Sequence, residues 1–324
     1  MQKSKLLYLL KMFYEQTDSE HGLSVGEIID QLDSVGISAE RKAIYDDINT
    51  LRAFGIDIEM HKEKSYSYRL INRPLELPEL KLLVDSVQAS RYISHKKSSE
   101  LIKKLEGLTS QHQARALSRQ VFVSNRVKTM NESLYYVVDF IHSAINGNKK
   151  ISFQYFDWSI DKTKILRHGG KVYKVSPWAL TISEDNYYLI AYDSEAAIIK
   201  HFRVDKMINI DYVDERRDGA EHFKDFDLAL YTKKHFGMYH GDETLVTLRC
   251  KNEMASVIID RFGSDMTFFK HSDTHFDVSI RVAVSHVFLS KVTMFDEDIE
   301  IIAPASVREE VASRARKLLE IYSK

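Results

Sequence analysis

Apolar positions change their period along the chain, and the changes divide it into regions. Residues 3–15 read as an amphipathic helix with Leu6, Leu7, Leu10 and Phe13 inside. Ser24-x-x-Glu27 is a capping box that starts a second helix through Ile28, Ile29 and Leu32. After a turn at Gly36, Ser38 caps a third helix that runs to Phe54 and stops at Gly55. Residues 56–60 and 65–71, joined by 61–64, alternate as a β-hairpin. Three helices and a hairpin are the winged helix-turn-helix layout.

Pro74 and Pro78 mark a boundary, because each holds the preceding residue away from helix. Residues 80–108 then have helical spacing, 111–130 are polar and basic, and a further helix spans 132–145 up to Asn146-Gly147-Asn148. The period next falls to two over 151–156, 171–176, 186–192 and 199–204, short strands that suggest a small, strongly curved sheet or barrel. From Glu243 the order is βαββαβα, resembling a ferredoxin-like unit, with Ser306-x-x-Glu309 as a capping box for the last helix. The chain is therefore read as an α+β multidomain protein. Its parts are a winged helix (1–73), a basic helical connector (74–133), a small barrel (134–215) and a C-terminal α+β unit (240–324).

With 324 residues, 44% apolar and 29% charged, the composition is that of a soluble globular protein. A single cysteine, Cys250, excludes a disulfide scaffold and fits a reducing, cytoplasmic setting. No apolar run approaches the roughly 18 residues of a membrane span. Lys11 interrupts the first apolar stretch, and no small-residue cleavage site follows, so no leader is expected. The net charge of −1 is unevenly distributed: residues 1–73 hold 10 basic and 12 acidic groups, and residues 74–130 hold 10 and 5. Nucleic-acid binding must then come from local clusters.

The third helix supplies one such cluster. Ile44, Ile48 and Leu51 share a core face, while Lys42, Tyr45, Asp46 and Asn49 repeat on the opposite face, with Arg41 at its margin. That face suits a major groove, where Lys42 and Asn49 meet phosphates or base edges and the Ser38 end offers free N–H groups. Lys62 and Lys64 at the hairpin tip would reach the adjacent backbone. The plainer alternative is a helical bundle for protein contacts, which the domain's charge of −2 favours. The paired helices, turn and wing together favour double-stranded DNA. A homodimer would double the phosphate contacts. The basic segment 91–128 is either a solvated face or a further phosphate surface.

The run Ile37-Ser-Ala-Glu-Arg-Lys-Ala-Ile-Tyr-Asp-Asp-Ile-Asn-Thr-Leu-Arg-Ala-Phe-Gly55 resembles the recognition helix of bacterial WYL-domain transcription regulators, whose winged helix is similar to that of the DeoR group. The usual pattern has Arg-Asp after the tyrosine; here Asp46-Asp47 stands in its place. Residues 176–193 resemble the stretch that names the WYL domain, with Tyr187-Tyr188-Leu189 where the family has Trp-Tyr-Leu. His201-Phe-Arg-Val-Asp-Lys206 resembles the following strand, with basic residues at Arg203 and Lys206, and Phe153-x-Tyr155 matches the opening strand. The resemblance implies a small Sm-like β-barrel that senses a ligand, in several relatives a nucleotide or nucleic acid. It also implies a C-terminal extension behind the barrel.

The residues themselves make a credible effector site. Alternation puts His201, Arg203 and Asp205 on one strand face, where Arg203 can clamp a phosphate unless Asp205 merely neutralises it. Tyr155, Tyr173 and Tyr187 offer stacking faces, unless they are barrel core, and Arg167, Lys171 and Lys174 add positive charge. Thirteen histidines invite a metal, yet His271 and His275 bracket a hairpin turn and no ligand motif of suitable spacing exists. No nucleophile elbow, phosphate loop or dinucleotide fingerprint is present, and Cys250 sits in an apolar strand. The expectation is a ligand-responsive regulator with no cofactor and no catalysis. A nucleic-acid-binding accessory protein and a protein-interaction scaffold are the other readings.

Overall fold

The computed structural model describes residues 2–62, 65–117, 128, 129 and 131–323. They divide into two units, 1–132 and 133–324.

In the first unit, α1 (Gln2–Gln16), α2 (Val25–Ser34) and α3 (Arg41–Ala53) precede a hairpin of β1 (Ile58–Lys62) and β2 (Tyr66–Leu70). The hairpin pairs Ile58 with Leu70 and Lys62 with Tyr66. The capping box of α2 forms: Glu27 N–H donates to Ser24 Oγ at 3.2 Å, and Ser24 N–H to Glu27 Oε2 at 2.7 Å. The three helices and the hairpin close over Phe13, Ile28, Leu32, Ile44, Ile48 and Leu70, all within 1% of full burial. Two details depart from the sequence reading. Leu9, Met12 and Phe13 fill the inner face of α1, whereas Leu7 is 67% exposed. Ser38 does not cap α3: Glu40 occupies that position, and the first helical bond runs from Ile44 N–H to Glu40 O at 3.1 Å. Ile37 and Ala39 both pack against the core, which keeps the backbone extended past Ser38.

Among the described residues, the connector holds three helices, α4 (Leu77–Ala89), α5 (His95–Glu106) and α6 (Gln111–Leu117). The single helical stretch expected over 80–108 is therefore broken at 90–94. There Ser94 Oγ accepts the Lys97 N–H at 3.2 Å and starts a new helix.

The second unit opens with α7 (Leu134–Asn146) and six strands: β3 (Lys149–Trp158), β4 (Lys164–Leu166), β5 (Val172–Ser183), β6 (Asn186–Asp193), β7 (Ile198–Arg203) and β8 (Met207–Arg216). Their order is β4-β3-β5-β6-β7, with β8 also paired to β3. Register shifts in β3 and β5 bend the strands. Only Val204–Lys206 separates β7 from β8, so the sheet coils until its far strands are chain neighbours. The rings of Phe153, Tyr155, Tyr173 and Phe202 pack together at centroid distances of 5.0–6.4 Å.

Residues 217–241 then cross the outside of this sheet and include α8 (Leu228–Lys234). Phe223, Phe226, Leu228 and Tyr231 pack there on Tyr188 and Ile190. Gly219 is required at the crossing: its φ is +81°, and a Cβ would lie 2.4 Å from the Tyr192 ring. The chain ends in β9 (Asp242–Lys251), α9 (Ala255–Phe262), β10 (Phe268–Lys270), β11 (His275–Val284), α10 (His286–Thr293), β12 (Ile299–Ala303) and α11 (Ala305–Tyr322). The strands form one antiparallel sheet in the order β10-β11-β9-β12, and Val278 and Val246 of the sheet share a buried core with Phe288 of α10. The expected Ser306 capping box is not formed; the cap position lies two residues earlier, at Pro304, with no side-chain cap bond.

Candidate functional site

The face of α3 opposite its core is polar as the period predicts, with Arg41, Lys42, Tyr45, Asp46 and Asn49 exposed. Arg41 and Lys42 occupy the first turn, where the helix dipole already places positive charge. An anion bound there relieves both. Asp47 is turned away and pairs with Lys5 at 2.7 Å, tying α3 to α1. Arg52 Nε donates to Ile58 O at 2.7 Å, which fixes the start of the hairpin against the same helix. Lys62 lies over the Tyr66 ring at 5.4 Å, at the hairpin end; Lys64 falls outside the described residues. Ser38 is exposed but stands before the helix, so it offers none of the helical N–H groups expected of it. In the connector, Lys128 is buried and donates to Val87 O, Ser90 O and Ser98 Oγ, which removes it from the basic surface.

In the second unit a cavity of about 480 Å³ runs along β7. Four of the eight expected effector residues line it: Tyr155, Arg167, His201 and Arg203. The Arg203 fork is held by Asp205, Nε to Oδ1 at 3.0 Å and Nη2 to Oδ2 at 2.8 Å. Burial works against its charge, and Asp205 more than restores it, so its pKa is raised. Lys206 Nζ donates to Asp157 Oδ1 at 2.7 Å, and Arg167 Nε donates to Oδ2 of the same carboxylate at 2.5 Å. Lys206 first and Arg167 second hold Asp157 below the usual carboxylate range. The result is a cationic end with three basic groups around two carboxylates. It is suited to an anion with several acceptor oxygens.

His201 lines the wall in another capacity. Its Nδ1 lies 2.8 Å from Met238 O and its Nε2 2.8 Å from the Tyr231 hydroxyl. Burial lowers its pKa to about 4, so the ring is neutral at pH 7, donating to the carbonyl and accepting from the phenol. It pins the 231–238 segment to β7, and both ring nitrogens are engaged before any ligand arrives. That corrects its assignment as a polar effector contact.

The other four expected residues are drawn elsewhere. Lys174 pairs with Glu215, and Lys171 with Glu195 at 3.3 Å. Tyr173 is part of the interior ring cluster. Tyr188, not Tyr187, faces the cavity. Alternation separates these two neighbours correctly, but both faces of β6 are covered, one by the coiled sheet and one by residues 223–238. Sequence reasoning missed Tyr188 and the wall formed by residues 237–240, and Asp157, which holds Lys206 and Arg167 at the cavity's cationic end. Asp157 carried a signal, being an acidic residue in an otherwise aromatic strand end, Phe156-Asp157-Trp158. Gly237 to His240 carried none.

Cys250 is fully buried on β9, and burial pushes its thiol up to about 12. Among the described residues, no helix is long and apolar enough to cross a membrane.

Comparison with known proteins gives two family matches: the WYL domain over residues 136–212 and the WCX domain over 242–319. No curated protein matches the chain. Among solved structures, the chain is similar to Proteasome accessory factor B/C (PafBC) of Arthrobacter aurescens, at 18% identity and a TM-score of 0.30. That alignment covers 100% of this chain and 49% of PafBC, so the chain spans about half the length of that relative. It is also similar to a CRISPR Cas-related protein, at 12% identity and a TM-score of 0.39, over 90% of this chain and 76% of the other. The two matches fall on the cavity-bearing sheet and on the C-terminal sheet, so the chain carries a WYL domain over residues 136–212 followed by a WCX domain over 242–319.

Proposed function

We propose that the chain is a DNA-binding transcription regulator, not an enzyme, whose WYL domain takes an anionic effector. The winged helix reads a duplex half-site through Arg41, Lys42, Tyr45 and Asn49, with Lys62 against the neighbouring backbone. It works as a homodimer in the cytoplasm, the second copy doubling the phosphate contacts of a domain whose own charge is −2. The observation that carries the reading is the exposed α3 face, where two cations occupy the turn whose dipole disfavours them. In the cavity, Arg203, Lys206 and Arg167 receive the effector's anionic group. For the effector to act, it must bind one arrangement of the DNA-binding unit better than another.

The test is fluorescence anisotropy with duplex DNA from upstream of the reading frame, titrated with salt and challenged with excess random duplex. Saturable binding that resists the competitor and falls steeply with salt is expected. Binding lost to random duplex would replace the reading with a non-specific accessory protein. No binding at any salt would leave a protein-interaction scaffold.

A further inference from the structure

β7 is an outer strand: β6 pairs with one side of it, and the cavity lies along the other. The register shows which backbone groups face outward. Arg203 stands opposite Tyr188, yet its N–H donates to the Tyr155 hydroxyl at 3.0 Å and not to β6. Alternate residues of an antiparallel strand point their N–H and C=O to opposite sides. Ile199 and His201 therefore point outward with Arg203, while Ile198, Lys200 and Phe202 bond to β6. Among the described residues, no partner meets the backbone N–H or C=O of Ile199 or His201. All six residues of β7 line the cavity, an edge about 20 Å long at roughly 3.3 Å per residue. Arg203, Lys206 and Arg167 gather at one end of it, and Gly237 to His240 form a wall.

We propose that this edge is a docking groove for an extended peptide segment bearing carboxylates, which joins β7 as a further strand. The proposal rests on the reading of the cavity as the effector site and names the effector's class. Open carbonyls decide between candidates. Phosphate oxygens only accept hydrogen bonds and leave Ile199 and His201 C=O unmet, whereas a peptide offers N–H and C=O alternately at the strand's own spacing. Carboxylates on the peptide meet the Arg203 and Lys206 end.

The test uses the full chain and a fluorescein-labelled nonapeptide of alternating glutamate and threonine, followed by anisotropy. Saturable binding is expected, with no binding of the lysine–threonine counterpart. Ile199→Pro deletes one outward N–H and leaves the bonds to β6 in place, so it should weaken the peptide at least tenfold. Because that variant can also disturb the strand, wild-type protein is assayed with a peptide N-methylated at alternate residues, and the same loss is expected. Undiminished binding of the N-methylated peptide would overturn the proposal. So would Arg203-dependent binding of oligothymidylate with none of the peptide, an outcome that leaves the effector reading standing. If neither ligand binds, the effector reading falls too.

Discussion

On α3 the candidate side chains project from an exposed helix face, whereas around the cavity Arg167, Lys200, Arg203 and Lys206 are each already held by a carboxylate. The difference separates two ways of meeting an anion. Exposed cations on α3 attract at a distance, are screened by salt, and adapt their rotamers to what they meet. The cavity cations are fixed in place beforehand, and a ligand must share or displace Asp157 and Asp205. The first arrangement suits a long polyanion read in many registers; the second suits one shape.

The contrast can be broken most strongly on α3 itself. Ile48, 1% exposed, and Asn49, exposed, are chain neighbours on opposite faces. Ile48→Ala should cost about 2–5 kcal/mol in urea unfolding. Asn49→Ala should stay within about 0.5 kcal/mol while relaxing DNA specificity. Equal destabilisation by both would mean the face is not free.

Next in size is a pH effect confined to the second unit. His201 drops from 6.5 to about 4 on folding, so between those values the unfolded chain holds the extra proton. Stability should fall as pH drops from about 6.5 to about 4, by about 3 kcal/mol, and be flat above 7 as far as this group is concerned. His235, also lowered by burial, acts with the same sign. Urea midpoints across this range should flatten in His201→Phe; an unchanged slope would show that the ring titrates normally.

Lys42→Ala should weaken DNA binding by about 1–3 kcal/mol and reduce the salt slope by about 1, as anisotropy at several salt concentrations would show. The smallest effect is expected of Asp157→Asn, since surface ion pairs contribute about 0–1 kcal/mol. Freed of their shared carboxylate, Arg167 and Lys206 should bind pyrophosphate more tightly by calorimetry. Weaker binding would show that Asp157 positions them for the ligand.

The sequence made the α3 face legible because one helix carries all of it, and a 3.6-residue period assigns inside and outside without knowledge of any other element. The same logic misplaced its start, since Ser38 satisfies the capping pattern while Ile37 and Ala39 hold the backbone extended. In the cavity, alternation along β7 gave His201 and Arg203 a common face, but not what covers that face. His201 meets Met238 and Tyr231, 37 and 30 residues away, and no local period encodes that distance. β4 has three residues, too few for a pattern, and the acidic and basic end of β8 hides its alternation. α1 is apolar nearly all round, so its period alone does not separate the exposed Leu7 from the buried Leu9.

Phe236 lies in the core of the C-terminal sheet and Met238 in the cluster on the WYL sheet, with Gly237 between them at φ +59° and Met238 itself at +58°. The family domains end at 212 and begin at 242, so neither includes this pair. As units of inheritance the two domains are separable, but as units of folding they share a clasp. Exchanging the WYL domain for another at residue 212 would leave Met238 facing a foreign surface, and starting a fragment at 242 would leave a phenylalanine-sized hole beside Phe288. A viable swap has to carry residues 213–241 together with both of the surfaces they grip.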